Sequence, residues 1–188
     1  MDRNPQQVPY GYEPPGETTK GTLFVYDSFD LGDEADGPAT DGSLGEIGLR
    51  LLADWAERRS LSRIALYVPH EETLKRMGVK FPPPMYKRED ALQEAVGRLP
   101  CAVRLDIDTY ERKRKKYTPM DVALRYMAER YESPYFLGLS GAYANRFASY
   151  QGFEQWIRQI RLVVAQEGRF EPHPLLVKHE SRWNRLGE

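Results

Sequence analysis

Cysteine, histidine and net charge are all scarce in this chain, and each scarcity removes a class of function. A single cysteine, Cys101, excludes an internal disulfide framework; it fits a reducing compartment, where a lone thiol behaves as a small hydrophobe. The three histidines, His70, His173 and His179, share no metal-ligand spacing with Cys101, so a zinc centre is not expected. With 27 basic against 28 acidic residues the formal charge is -1, which gives no global pull toward nucleic acid or an anionic membrane. No apolar run approaches the roughly 20 residues that cross a bilayer, and the N-terminus lacks the charged-then-apolar order of a signal peptide. The expectation is a cytoplasmic protein with no membrane partner. A Walker-type phosphate loop, a Gly-x-Ser-x-Gly elbow, a dinucleotide fingerprint, internal repeats and low-complexity tracts are also missing.

What is present is material for one core. At 188 residues, 40% apolar and 12% aromatic, the chain suits a single domain over residues 22–188. The preceding residues 1–21, with Pro5, Pro9, Pro14 and Pro15 and no apolar periodicity, read as an extended arm. Short apolar or β-branched runs predict strands at Thr22 to Tyr26, Arg63 to Val68, Cys101 to Ile107 and Tyr135 to Leu139.

Helical spacing predicts four helices. The first buries Leu44, Ile47, Gly48, Leu51, Leu52 and Trp55, and the second Leu92, Ala95, Val96 and Leu99. The third starts at Thr118 as cap with Pro119 in its first turn, and the fourth runs from Phe153 through Ile160 and Val164 to Gly168. Pro82-Pro83-Pro84 marks a rigid connector, Leu175 to Val177 an edge strand, and Lys178 to Arg185 a closing helix or a partner contact. This alternation argues for an α/β fold of Rossmann-like type, a mainly parallel sheet with helices on both faces.

Ligands of such sheets bind beyond the carboxyl ends of the strands, which directs attention to three loops. The first carries Asp27, Asp30, Asp33, Glu34, Asp36 and Asp41 and ends in the glycine-rich turn Gly42-Ser43-Leu44-Gly45-Glu46-Ile47-Gly48. The second is Asp106-Ile107-Asp108, and the third Ser140-Gly141-Ala142-Tyr143-Ala144-Asn145. A glycine-rich turn between strand and helix lets backbone and ligand approach closely, with Glu46 held against the ligand. Placed alone, Glu46 is a first-turn acid favoured by the helix dipole.

The Gly42 to Gly48 stretch resembles the glycine-x-x-x-glutamate-x-glycine signature of the nucleoside 2-deoxyribosyltransferase and nucleotide N-hydrolase superfamily. Tyr135 to Gly141, with Asn145 and the Phe153/Trp156 helix, looks like that superfamily's opening strand and turn, although the two motifs stand here in permuted order. The resemblance implies Glu46 as nucleophile, Asp41 or Asp27 hydrogen-bonding or protonating the leaving base, and Gly42, Ser43, Ser140, Gly141 and Asn145 around a nucleoside or nucleotide. It implies no cofactor. A second resemblance is to the NYN/PIN-like nucleases, in which Asp27 would be the first metal-binding acid; the acids expected after the next strand are absent at Ser140 to Asn145. Only that reading calls for a divalent metal.

The strongest charge feature is the run Arg112-Lys113-Arg114-Lys115-Lys116 between Tyr110 and Tyr117, which suits phosphates and stacked bases, or a solvated loop balancing the acids. Three functional expectations therefore stand: a nucleoside- or nucleotide-binding protein that cleaves or transfers at the N-glycosidic bond, a nonenzymatic nucleic-acid or protein-binding module using residues 112–116, and a metal-dependent nuclease with a degenerate acidic site.

Overall fold

The Leu23 to Tyr26 run is apolar on both faces, and in the computed structural model, which describes residues 20–32 and 41–187, it becomes β1 (Thr22–Tyr26), an inner strand of a parallel six-stranded sheet. The order is β3 (Arg104–Asp108), β2 (Arg63–Tyr67), β1, β4 (Tyr135–Ser140), β5 (Arg161–Ala165), β6 (Trp183–Leu186). All five strand pairs are parallel. The fold is thus α/β and Rossmann-like. Most of the stretch read as an N-terminal arm, and Asp33, Glu34 and Asp36, lie outside the described residues.

Helices cover both faces because each strand alternates its side chains between them. Leu23, Val25, Ile64 and Leu66 pack with α1 (Gly45–Arg58) and α3 (Met85–Arg98). On the opposite face Phe24, Tyr26, Leu137 and Leu139 meet α5 (Met120–Arg130), α6 (Gly141–Ala148), α7 (Phe153–Ile157) and α8 (Pro174–Lys178). Two short helices, α2 (Glu71–Arg76) and α4 (Tyr110–Arg114), rise after β2 and β3. None of the described helices is long and apolar enough to cross a membrane.

The structure corrects several local expectations. The fourth helix stops at Ile157, and Arg161–Ala165 is β5: Leu162 and Val164 enter one core while Val163 and Ala165 enter the other, the period of two that a strand imposes. Leu175 to Val177 is helical, because Pro174 occupies the first helical position and the His173 ring accepts the Leu175 amide. Lys178 to Arg185 ends in a 3-10 turn, Glu180–Arg182, and the edge strand β6. In α1, Ile47 is 58% exposed and Leu49 is buried instead. Thr118 does not cap α5; its buried amide donates to Thr73 Oγ1 at 3.0 Å.

Candidate functional site

From β1 the chain builds outward to β2 and β3, then returns to place β4 on the other side of β1. At this switch point the connections after β1 and β4 leave toward opposite faces, which opens a crevice beyond the carboxyl ends of the two strands. Residues 27–32 and 41–44, the described parts of the connection after β1, fold into it. Asp27 is fully buried, and its carboxyl group accepts the Phe29 amide at 2.8 Å and the Leu44 amide at 3.2 Å, fastening both ends of the loop. Burial pushes its pKa up to about 8, with nearby Asp41 adding to the shift and the two amides and Arg88 opposing it.

Farther along the loop, Asp41 accepts the Ser43 amide at 3.0 Å and the Tyr143 hydroxyl at 2.9 Å, and the Arg146 guanidinium donates to the Asp41 carbonyl at 2.8 Å. Gly42 takes φ +75 and lies so close to α6 that an added Cβ would stand 2.4 Å from the Ala142 Cβ. Only glycine fits there. Ser140 caps α6 by accepting the Tyr143 amide at 3.2 Å, and Gly141 leaves room for Gln166 and Phe170. Asp27, Asp41, Gly42, Ser43, Ser140 and Gly141 therefore gather at one switch point.

Two cavities flank this gathered loop. One, of about 280 Å³, lies by the start of α1; it is bordered by Ser43 to Gly48, Ser140 and Gln166, and its charged residues are Glu46 and Glu167. The other, of about 250 Å³, opens toward α6. It combines Arg76 and Arg146 with the rings of Tyr26, Tyr117 and Tyr150 and the hydroxyl side chains of Thr73, Thr118 and Ser149. Arg146 packs on the Tyr143 ring with its guanidinium carbon 4.9 Å from the centroid, and Arg76 lies over Tyr117 at 5.2 Å. Beneath this wall the buried Glu111 carboxylate accepts from the His70 amide at 3.1 Å and from the Thr73 hydroxyl, which itself accepts the Thr118 amide. Burial raises the Glu111 pKa.

The remaining residues singled out in the sequence sit elsewhere. Glu46 borders the α1-side cavity, but its carboxylate forms an exposed ion pair with Arg98 of α3. Asn145 holds the segment before α8, donating to the Glu171 carbonyl at 3.0 Å and accepting the His173 amide at 2.8 Å. Of the basic run, Arg112 pairs with Glu89, while Arg114 donates to Thr118 Oγ1 at 3.1 Å and to the Tyr110 hydroxyl at 3.3 Å. Tyr110 stacks on Tyr126 with centroids 4.0 Å apart, so this ring is already covered on one face. Lys113, Lys115 and Lys116 are exposed. Among the described residues no group of three or more His, Cys, Asp or Glu is arranged to hold a metal ion.

By sequence, no family model matches the chain, and no curated protein matches it either. By structure, the chain is similar to Plasmodium falciparum nicotinic acid mononucleotide adenylyltransferase. The form complexed with NaAD superposes with a TM-score of 0.61 at 10% identity, over 89% of this chain and 75% of that one. The form complexed with APC gives the same score and coverage at 11% identity. These likenesses establish the fold. They also overturn both resemblances drawn from short motifs: the fold is similar to that of an adenylyltransferase, and neither a deoxyribosyltransferase or N-hydrolase nor a NYN/PIN-like nuclease stands behind it. The glycine-x-x-x-glutamate-x-glycine pattern was misleading because its glycines serve the backbone and packing: Gly42 holds a left-handed φ of +75, and Gly48 lies inside α1 against the Leu44 side chain.

Several residues of the crevice carried no legible sign in the sequence. Arg146 and Tyr150 come from α6 and the turn after it, Arg76 from the end of α2, and only the strand order brings Arg76 to the other two.

Proposed function

We propose that this chain binds a nucleotide in the α6-side cavity, with the phosphate held by Arg76 and Arg146 and the base against the tyrosines. The observation that carries this reading is the pairing of two guanidiniums with the accessible rings of Tyr117 and Tyr150 in one crevice at the switch point. Guanidinium forks match phosphate oxygens, and tyrosine faces accept any flat base. Support also comes from the structurally similar proteins, which are complexed with NaAD and APC.

The reading is one of binding rather than of nucleotidyl transfer. Transfer of a phosphoryl or nucleotidyl group relies on positive charge arranged around the reacting phosphates. Among the described residues the α1-side cavity, on the other side of the loop, is bordered by Glu46 and Glu167 and by no lysine or arginine.

Calorimetric titration with nicotinic acid mononucleotide and with AMP, each beside its dephosphorylated nucleoside, tests the proposal. A mononucleotide is expected to bind, its nucleoside more weakly, and Arg76→Gln should weaken the mononucleotide by about tenfold, the worth of one charged hydrogen bond. Absence of binding at millimolar mononucleotide, or equal binding of nucleotide and nucleoside, would overturn it. Pyrophosphate release from ATP with nicotinic acid mononucleotide, assayed with Mg²⁺, would overturn the restriction to binding.

A further inference from the structure

At the opposite edge of the sheet, where β1, β2 and β3 begin, a third cavity of about 240 Å³ is bordered by Arg63, Arg104, Arg130, Ser62, Tyr131 and Glu132. It is separated from the nucleotide crevice by the length of the strands, and nothing in the proposed binding reaction uses it. Arg63 and Arg104 are register partners on neighbouring strands. Like charges set directly across a strand pair destabilise the sheet, and here one carboxylate, Asp106, offsets them by bridging both, at 3.3 Å from Arg63 Nε and 3.2 Å from Arg104 Nε. Both contacts run through Nε. Among the described residues the terminal amino groups of Arg63 and Arg104 have no protein acceptor, and Arg130 has no carboxylate partner.

Two of the three guanidiniums are also held in place before any ligand arrives. Arg63 and Arg130 lie against the Tyr131 ring, at 5.6 and 5.5 Å from its centroid, and that ring is itself fixed by packing near Phe24 and by its hydroxyl donating to Asp108. A side chain ordered in advance loses less entropy when it binds.

We propose that Arg63, Arg104 and Arg130 form a binding site for a phosphate dianion, either inorganic phosphate or the phosphate of a small phosphomonoester. Three forked donors around one cavity suit the three terminal oxygens of a phosphate better than the two of a carboxylate. The local balance is three cations against the carboxylates of Asp106 and Glu132, so a bound dianion meets a positive surplus. The small volume favours a compact ligand over a polymer. This inference stands apart from the nucleotide reading and survives its failure.

The test is calorimetric titration of the full chain at low ionic strength with inorganic phosphate and, separately, with glycerol phosphate. Saturable binding is expected, weakened about tenfold or more in Arg104→Gln and in Arg130→Gln, both exposed positions that leave the fold intact, and retained in Arg76→Gln. Tighter glycerol phosphate than inorganic phosphate assigns the site to a phosphomonoester, and the reverse to the free ion. Asp106→Asn should tighten binding, because it removes the anion that competes for the same guanidiniums. No saturable binding of either probe would overturn the proposal, as would binding lost in Arg76→Gln yet unchanged in Arg104→Gln and Arg130→Gln, or affinity confined to a polyanion such as single-stranded RNA.

Discussion

Asp27 is the residue on which the loop after β1 turns, and its burial gives it a measurable signature. Its pKa moves from an ordinary carboxyl value of 3.8 in the open chain to about 8 in the fold. The folded state therefore keeps a proton that the unfolded state has released, and stability falls as pH rises between those two values. The slope contributed approaches about 1.4 kcal/mol per pH unit, and it vanishes above the folded value. Glu111 shifts in the same direction, so the Asp27 share must be isolated by difference. In denaturant titrations from pH 4 to 9, the stability of the Asp27→Asn variant should decline less with pH than that of the parent protein; parallel curves would show that Asp27 is ionised in the fold. A terminal acid after an apolar strand is visible in the sequence. Arg88 was not, because Lys87-Arg88-Glu89-Asp90 reads as a solvated helix turn. Its guanidinium is nevertheless buried, donating to the carbonyls of Ser28, Pro69 and Pro83 and tying three loops together across the top of the sheet.

Among the elements, the loop-to-helix contact between Gly42 and α6 decides how closely the two sides of the switch point approach. Alanine at position 42 adds a methyl 2.4 Å from the Ala142 Cβ and holds a left-handed φ, the latter alone costing about 1 to 2 kcal/mol. Gly42→Ala should destabilise the protein by at least that amount and lengthen the Asp41 to Tyr143 hydrogen bond. Adding Ala142→Gly should restore the steric part, giving a favourable coupling energy in a double-mutant cycle by chemical denaturation; additive effects of the two changes would mean the surfaces do not touch. This closeness could not be read from the sequence, since it pairs positions a hundred residues apart by way of strand order. The elements themselves were legible wherever one period dominated. β1, β2 and β4 emerged from short apolar runs, whereas β5 was hidden because Phe153, Trp156, Ile157 and Ile160 set up a helical stripe that Val163 and Val164 extended by coincidence. α8 was hidden because two prolines so close together, Pro172 and Pro174, disfavour a helix interior, whereas the second of them stands at the position where proline starts a helix.

At the scale of the whole molecule, the parallel sheet separates two chemistries by its two edges. The carboxyl edge gathers Asp27, Asp41, the tyrosines, Arg76 and Arg146; the amino edge gathers Arg63, Arg104 and Arg130. Strands of five or six residues at about 3.3 Å each put these two groups on the order of 15 to 20 Å apart, beyond a Debye length of about 8 Å at physiological salt. Ligands at the two edges should therefore bind independently and stabilise the fold additively. Each ligand at a hundredfold excess over its dissociation constant contributes about 2.7 kcal/mol, which for a domain of this size corresponds to a rise in Tm of several degrees. A nucleotide and glycerol phosphate added together should raise Tm by the sum of their separate shifts. Arg76→Gln should remove the first contribution alone, and Arg104→Gln the second alone. A combined shift no larger than the greater single one would mean that both ligands compete for one site, since occupation of a common cavity cannot be counted twice.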